Sequence, residues 1–126
     1  MHTATLLHRQ VHPQWFKGGH VLSLAFRPFP KDNGLLSVYD GDQIAPEPAW
    51  FHYTKQQGYQ SAGVWSVTVA EAEACQLPAR PDPKPNSPQH ALIDFTSHAK
   101  KQQEAKSKIL AAKAEARGCQ FAPPAT

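Results

Sequence analysis

Leu6-Leu-His-Arg-Gln-Val11 is the stretch on which the fold turns. As an extended segment it places Leu6, His8 and Gln10 on one face and Leu7, Arg9 and Val11 on the other. His12-Pro13 ends it: the residue before a proline is driven toward extended or turn geometry, and proline has no amide hydrogen to give a sheet ladder. The strand therefore combines core-forming aliphatics with side chains that can do chemistry.

Working outward, Gly18-Gly19 predicts a turn and His20 to Phe26 resumes an alternating strand pattern. Pro28, Pro30 and Asp32-Asn33-Gly34 interrupt the chain before a third extended run, Leu35 to Tyr39. A short helix is expected from Pro46 to Gln57, closed by Gly58. Val64 to Val69 is β-branched and aromatic, as a buried strand requires. Thr68 and Glu71 have capping-box spacing for a two-turn helix ending near Gln76. Pro78, Pro81, Pro83, Pro85 and Pro88 make the next segment extended and unfit for a central strand. His90 to Phe95 is the last strand, and Thr96 or Ser97 begins a long helix that Gly118 can stop.

These elements predict an α+β fold: a small mixed or antiparallel sheet, two short helices and a long basic C-terminal helix. The chain divides into a body over 1–96, the basic helix over 97–118 and a flexible tail over 119–126. The opening strand and the strand over 90–95 are expected side by side, with the C-terminal helix outside the hydrophobic interior. Ala99, Ala105, Ile109, Leu110, Ala112 and Ala116 give that helix a thin apolar stripe.

Charge is unevenly distributed. The chain has 13 Lys and Arg against 10 Asp and Glu, a formal net charge of +3. Residues 97–117 alone hold Lys100, Lys101, Lys106, Lys108, Lys113 and Arg117 against Glu104 and Glu115, a local net charge of +4. Such a helix is a candidate surface for an acidic protein partner or a phosphate backbone, without base-specific readout. No run of apolar residues reaches membrane-spanning length, and the helix lacks the Trp and Phe that insert into a bilayer surface, so no membrane role is expected. The first residues lack a basic segment followed by a long apolar one, so no secretory leader is expected. Cys75 and Cys119 are then expected as free thiols in a cytoplasmic protein.

Seven histidines form the second signal. His8 and His12 are four apart around Arg9, and His90 and Asp94 are four apart on the last strand. Adjacent strands would gather His8, Arg9, His12, His90 and Asp94 at one end of the sheet. Two imidazoles and a carboxylate can ligate a metal; two histidines can act as acid and base on a phosphodiester while arginine neutralises charge; arginine alone can clamp an anion. The ordinary alternatives are half-buried histidines bonded to backbone and an Arg9 ion pair with Asp94 or another carboxylate. No metal or cofactor motif is present: no His-Glu-x-x-His, Cys-x-x-Cys, phosphate loop or nucleophile elbow. Neither a metal nor a cofactor is expected.

Leu7-His-Arg-Gln-Val-His-Pro13, Leu24-Ala-Phe-Arg-Pro28, Leu36-Ser-Val38, Pro81-Asp-Pro83 and Pro88-Gln-His-Ala-Leu-Ile93 resemble a group of small uncharacterised prokaryotic proteins over residues 6–95. A looser similarity exists to small ADP-ribosyltransferase-like toxins, which place an arginine on the first strand and a serine on a following one. Arg9 and Ser37 match those positions, and Asp94 stands where those proteins carry a late-strand glutamate. The resemblance implies a small prokaryotic protein of a toxin–immunity or defence setting. Two functions follow as expectations. The first is a binding or accessory protein that engages a protein or nucleic-acid partner through its body and basic helix. The second is an enzyme of ADP-ribosyltransferase-like or phosphodiester chemistry using Arg9, His8, His12, His90 and Ser37.

Overall fold

In the computed structural model, which describes residues 1–124, β1 is Leu6–Val11 and the small strands β2 and β3 are Phe16–Lys17 and His20–Val21. A 3-10 turn over Ser23–Phe26 and a second over Pro30–Asp32 lead into β4, Leu35–Asp40. Helix α1 is Pro46–Phe51 and runs directly into a π-helical segment, His52–Gln56. Then come β5 (Gly63–Thr68), α2 (Val69–Ala74), β6 (Ala79–Pro81), β7 (His90–Asp94) and α3 (Lys100–Arg117). The architecture is α+β, with a main sheet in the order β5-β1-β4-β7-β6, every neighbouring pair antiparallel, and β2–β3 as a separate ribbon.

The expectation that the first and last long strands are neighbours is corrected: β4 lies between them. β1 pairs along its whole length with β5, from Leu6↔Thr68 to Val11↔Gly63, but with β4 only at Leu7↔Asp40 and His8↔Tyr39. Tyr39 in turn faces His90. Paired residues share a face, so Ser66, His8, Tyr39 and His90 form a row across the sheet. The His20–Phe26 strand is also shorter than expected. Only His20–Val21 pairs, and the chain then winds into the 3-10 turn that buries Ala25 and Phe26.

One face of the sheet holds Leu7, Val11, Leu36, Val38, Val67, Ala91 and Ile93, packed with Ala25, Phe26, Leu110, Ala111 and Ala114. Helix α3 is thus a wall of the core, contrary to the expected lightly attached helix. Ser107, Leu110, Ala111 and Ala114 are its buried residues, while Ala105, Ile109, Ala112 and Ala116 face solvent. Burial of Ser107 is tolerated because its hydroxyl donates to the Gln103 carbonyl at 2.7 Å. The tail expected to be flexible from 119 onward starts as an ordered return. Phe121 bridges to Val64 of β5, and its ring lies 5.6 Å from that of Trp50. Residues 125 and 126 lie outside the described residues.

The other face is closed by α1 and the segment after it. Trp50 donates its indole N–H to the Ser61 carbonyl, and the Ser61 hydroxyl donates to Gln10 Oε1 at 2.7 Å. The capping box of α2 forms as its spacing predicts, with Thr68 Oγ1 accepting from Glu71 N–H and Glu71 Oε1 accepting from Thr68 N–H. No helix is long and apolar enough to cross a membrane among the described residues.

Candidate functional site

The limited β1–β4 pairing leaves a seam, and Arg9 fills it. Its Nε–H donates to the Ala25 carbonyl at 2.7 Å and an Nη1–H to the Ser37 carbonyl at 2.9 Å. The guanidinium sits 5.5 Å from the centre of the Trp15 ring. A guanidinium has five N–H donors, so Nη2 and the second Nη1 hydrogen have no protein acceptor among the described residues. No carboxylate pairs with it there either; Asp32 acts only through space. Burial lowers the Arg9 pKa, the cost of holding a cation partly out of water.

Arg9 opens onto a cleft of about 580 Å³. β1 contributes His8, Arg9 and Gln10 to its lining, β4 contributes Ser37 and Tyr39, and β7 contributes His90. One wall has Trp15 and Phe29, with ring centres 5.7 Å apart. Another has Tyr53 and Tyr59, 5.0 Å apart and inclined by 32°. Lys31 and Asp32 stand on one side of the opening, and Lys84 and Asn86 of the proline-rich segment on another. Lys84 is paired with Asp82 at 3.1 Å, and Arg9 and Lys31 outnumber Asp32, so the cleft favours an anion. Its aromatic sides favour a ring.

Two histidines position this cleft. His52 Nε2 lies 2.8 Å from the Asn86 carbonyl, and its Nδ1 lies 2.7 Å from the Tyr39 hydroxyl. A carbonyl only accepts, so Nε2 carries the hydrogen and Nδ1 accepts from Tyr39. This link ties the π-helical segment to the proline-rich loop. π-Helical turns are rare and gather at functional sites, and this one also carries Tyr53. Burial pushes up the Tyr39 and Tyr53 hydroxyl pKa values, with Arg9 opposing the change at Tyr53. His90 Nδ1 lies 3.0 Å from both the carbonyl and a carboxylate oxygen of Asp82, which orients the ring and leaves Nε2 unpartnered among the described residues. Lys84, and behind it His90, hold the Asp82 carboxyl below its ordinary value.

Of the residues expected to converge, His8, Arg9, Ser37 and His90 line the cleft, whereas His12 and Asp94 do not. His8 is 1% exposed, with Nδ1 2.7 Å from Ser66 Oγ. Burial lowers its pKa, against the opposing backbone bond at Ile44 and the Asp40 carboxylate. Gly41 makes room for it: a Cβ there would collide with the Leu6 carbonyl and stand 3.0 Å from His8 Nε2. His12 lies past the end of β1, where its Nδ1 accepts from the Gln14 N–H at 3.0 Å. Asp94 lies on the face of His90 but is engaged by β6 rather than by Arg9. It pairs with Arg80 at 2.8 Å, and Thr96 and Arg80 together hold its pKa at about 2.

The basic helix is divided by its packing. Arg117 is taken up by both carboxylate oxygens of Glu71 and by the Ser66 carbonyl. Burial works to raise the Glu71 pKa, but Arg117 and the Thr68 cap hold it below its ordinary value. Lys106 reaches Gln76 Oε1 at 3.3 Å, and Lys100 lines a second cavity of about 270 Å³ with Arg27 and Glu104. Lys101, Lys108 and Lys113 are exposed and make no ion pair among the described residues. No cluster of three or more His, Cys, Asp or Glu able to hold a metal occurs among the described residues.

Gln10, Tyr53, Tyr59, Lys31 and Lys84 were not among the sequence-derived site residues. Gln10 had a signal, since alternation places it on the face of His8. Tyr53 and Tyr59 carry no such signal, and the π-helical turn brings them together. Compared with protein-family models, curated proteins and solved structures, the chain matches none of them.

Proposed function

We propose that the protein binds a phosphate-bearing small molecule with a planar ring, a ligand of the nucleotide class, in the Arg9 cleft. The observation that carries this reading is a half-buried guanidinium without a carboxylate partner among the described residues, its remaining N–H groups beside an aromatic-walled opening. Arginine recognises phosphate oxygens through such a fork of donors. The tyrosines supply ring surface on which a base can stack, and Lys31 adds charge at the opening. His90, oriented by Asp82, and Ser37 supply a proton-handling group and a hydroxyl for an enzyme acting on that ligand. The test is calorimetric titration with nucleoside 5′-monophosphates and the corresponding nucleosides. The monophosphates should saturate the protein and the nucleosides should bind at least about tenfold more weakly. Equal binding of both, or none, contradicts the reading.

A second reading is favoured by Lys101, Lys108 and Lys113, which are exposed and make no ion pair among the described residues: α3 offers an outer surface to an acidic protein or a nucleic-acid backbone. That association would weaken steeply with salt and leave the cleft unoccupied.

A further inference from the structure

Of the two histidines that line the cleft, only His90 has a ring nitrogen free to take a proton among the described residues. His8 is buried, with Nδ1 on Ser66 Oγ and a backbone bond at Ile44. The His90 ring is held at Nδ1, 3.0 Å from both the carbonyl and a carboxylate oxygen of Asp82. Both partners only accept, so Nδ1 carries the hydrogen and Nε2 presents its lone pair. A ring turned over would set carbon against both oxygens, so these surroundings fix its orientation. Lys84, 3.1 Å from the same carboxylate oxygen, favours the ionised form of Asp82. His90 Nε2 has no protein partner among the described residues, yet it is not a buried atom, and the residue lines the cleft.

Sheet register sets His90 near Arg9. Leu36 and Val38 belong to the core, so Ser37 and Tyr39 project from the other face of β4. Tyr39 pairs with His90 and Ser37 with Leu92, which makes His90 the diagonal neighbour of Ser37 on that face. Such neighbours lie roughly 7–8 Å apart. Arg9 is bonded to the Ser37 carbonyl, which leaves room for one phosphoryl group between guanidinium and imidazole. We propose that the protein hydrolyses the phosphoanhydride bond of a nucleotide, with His90 as the general base for the attacking water and Arg9 on the terminal phosphoryl group. The inference rests on the nucleotide reading above and adds a reaction to it. The water oxygen bonds to the terminal phosphorus, and its proton passes to His90 Nε2 and then to solvent. The bridging P–O bond breaks, and its electron pair leaves on the nucleotide. A phosphate leaving group needs no proton at that moment, so one base suffices; an alkoxide leaving from a monoester needs a second, acidic group. Asp82 is a positioning residue, fixing the tautomer and stabilising the imidazolium.

The experiment measures phosphate release from GDP and from GMP, and the binding of GMP, for the wild type, His90→Gln and Asp82→Asn, each checked by thermal melting. The wild type should turn GDP over to GMP and phosphate, and release from GMP should be at least about a hundredfold slower. His90→Gln should lower kcat for GDP about a hundredfold or more while its Kd for GMP stays within about twofold of wild type. Asp82→Asn should lower kcat by less and leave KM unchanged, because the Asp82 carbonyl still holds the Nδ1 hydrogen. In water enriched in oxygen-18 the label should enter the released phosphate and not GMP. GDP left intact by a wild type that binds GMP overturns the proposal while the nucleotide reading stands. So does turnover that His90→Gln retains, comparable release from GMP, or label in GMP. Wild-type protein that binds neither nucleotide overturns the nucleotide reading itself, and this inference with it. His90→Asn repeats the comparison should the glutamine variant fold poorly.

Discussion

Arg9→Met should abolish nucleotide binding while leaving a folded protein. Methionine is unbranched and adaptable, and it can occupy the seam between β1 and β4 against Trp15. What it cannot do is donate. The two backbone carbonyls of Ala25 and Ser37 would lose their partners, and each deprived acceptor costs on the order of 1 kcal/mol where water cannot replace the donor. Against this, the variant relieves the burial of a cation that no carboxylate balances, so the net change in stability should be modest. Loss of binding should be much larger. Truncating a desolvated, charge-paired contact at an interface costs about 2–5 kcal/mol, or roughly thirtyfold to several-thousandfold in Kd. Arg9→Lys should restore charge but only part of the affinity, because an ammonium cannot bridge both carbonyls and a phosphate. Isothermal titration of the three proteins, each checked by thermal melting, measures this. A lysine variant as tight as wild type would reduce Arg9 to a diffuse positive charge.

The second large effect concerns α3. Leu110 is completely buried in the core shared by the sheet and the 3-10 turn at Ala25 and Phe26. Leu110→Ala should therefore destabilise the fold by about 2–5 kcal/mol, as cavities in packed cores do. Its neighbour Ile109 is 47% exposed, and Ile109→Ala should change stability by roughly 0.5 kcal/mol or less. Equilibrium urea unfolding of both variants decides the matter. Equal, small effects would mean that α3 is an appendage; the predicted contrast means that the sheet has no closed core without it.

The fate of α3 illustrates what a sequence can and cannot disclose. Alternation and turn residues located β1 over Leu6–Val11, and the capping-box spacing located the start of α2. These are local properties, set by neighbours in the chain. Of the stripe of Ala99, Ala105, Ile109, Leu110, Ala112 and Ala116, only Leu110 is buried and the others face outward. The buried face uses Ser107, Leu110, Ala111 and Ala114, three of them too small to dominate a hydropathy pattern. Small residues let the helix approach the sheet closely, and that advantage appears only once the sheet exists.

The candidate site divides in the same way. Arg9, Ser37 and His90 were legible because each sits in a strand whose alternation is plain. Their meeting in one cleft depends on β4 lying between β1 and β7, a topological fact that no local pattern encodes. His12 was misplaced because four-residue spacing keeps two side chains on one face only while the strand continues, and this strand stops at Val11. The π-helical turn that directs Tyr53 toward Arg9 has no sequence signature in the helical pattern of 46–57.

The most direct measurement is a two-dimensional proton–nitrogen spectrum of the labelled protein recorded through a titration with GMP. Saturable shifts should concentrate on the Arg9 Nε–H and the backbone amides of Ser37, Tyr53 and Tyr59, while those of Lys101, Lys108 and Lys113 stay in place. Shifts confined to α3 and suppressed by added salt, with the Arg9 signal unmoved, would contradict a ligand site at the β1–β4 seam.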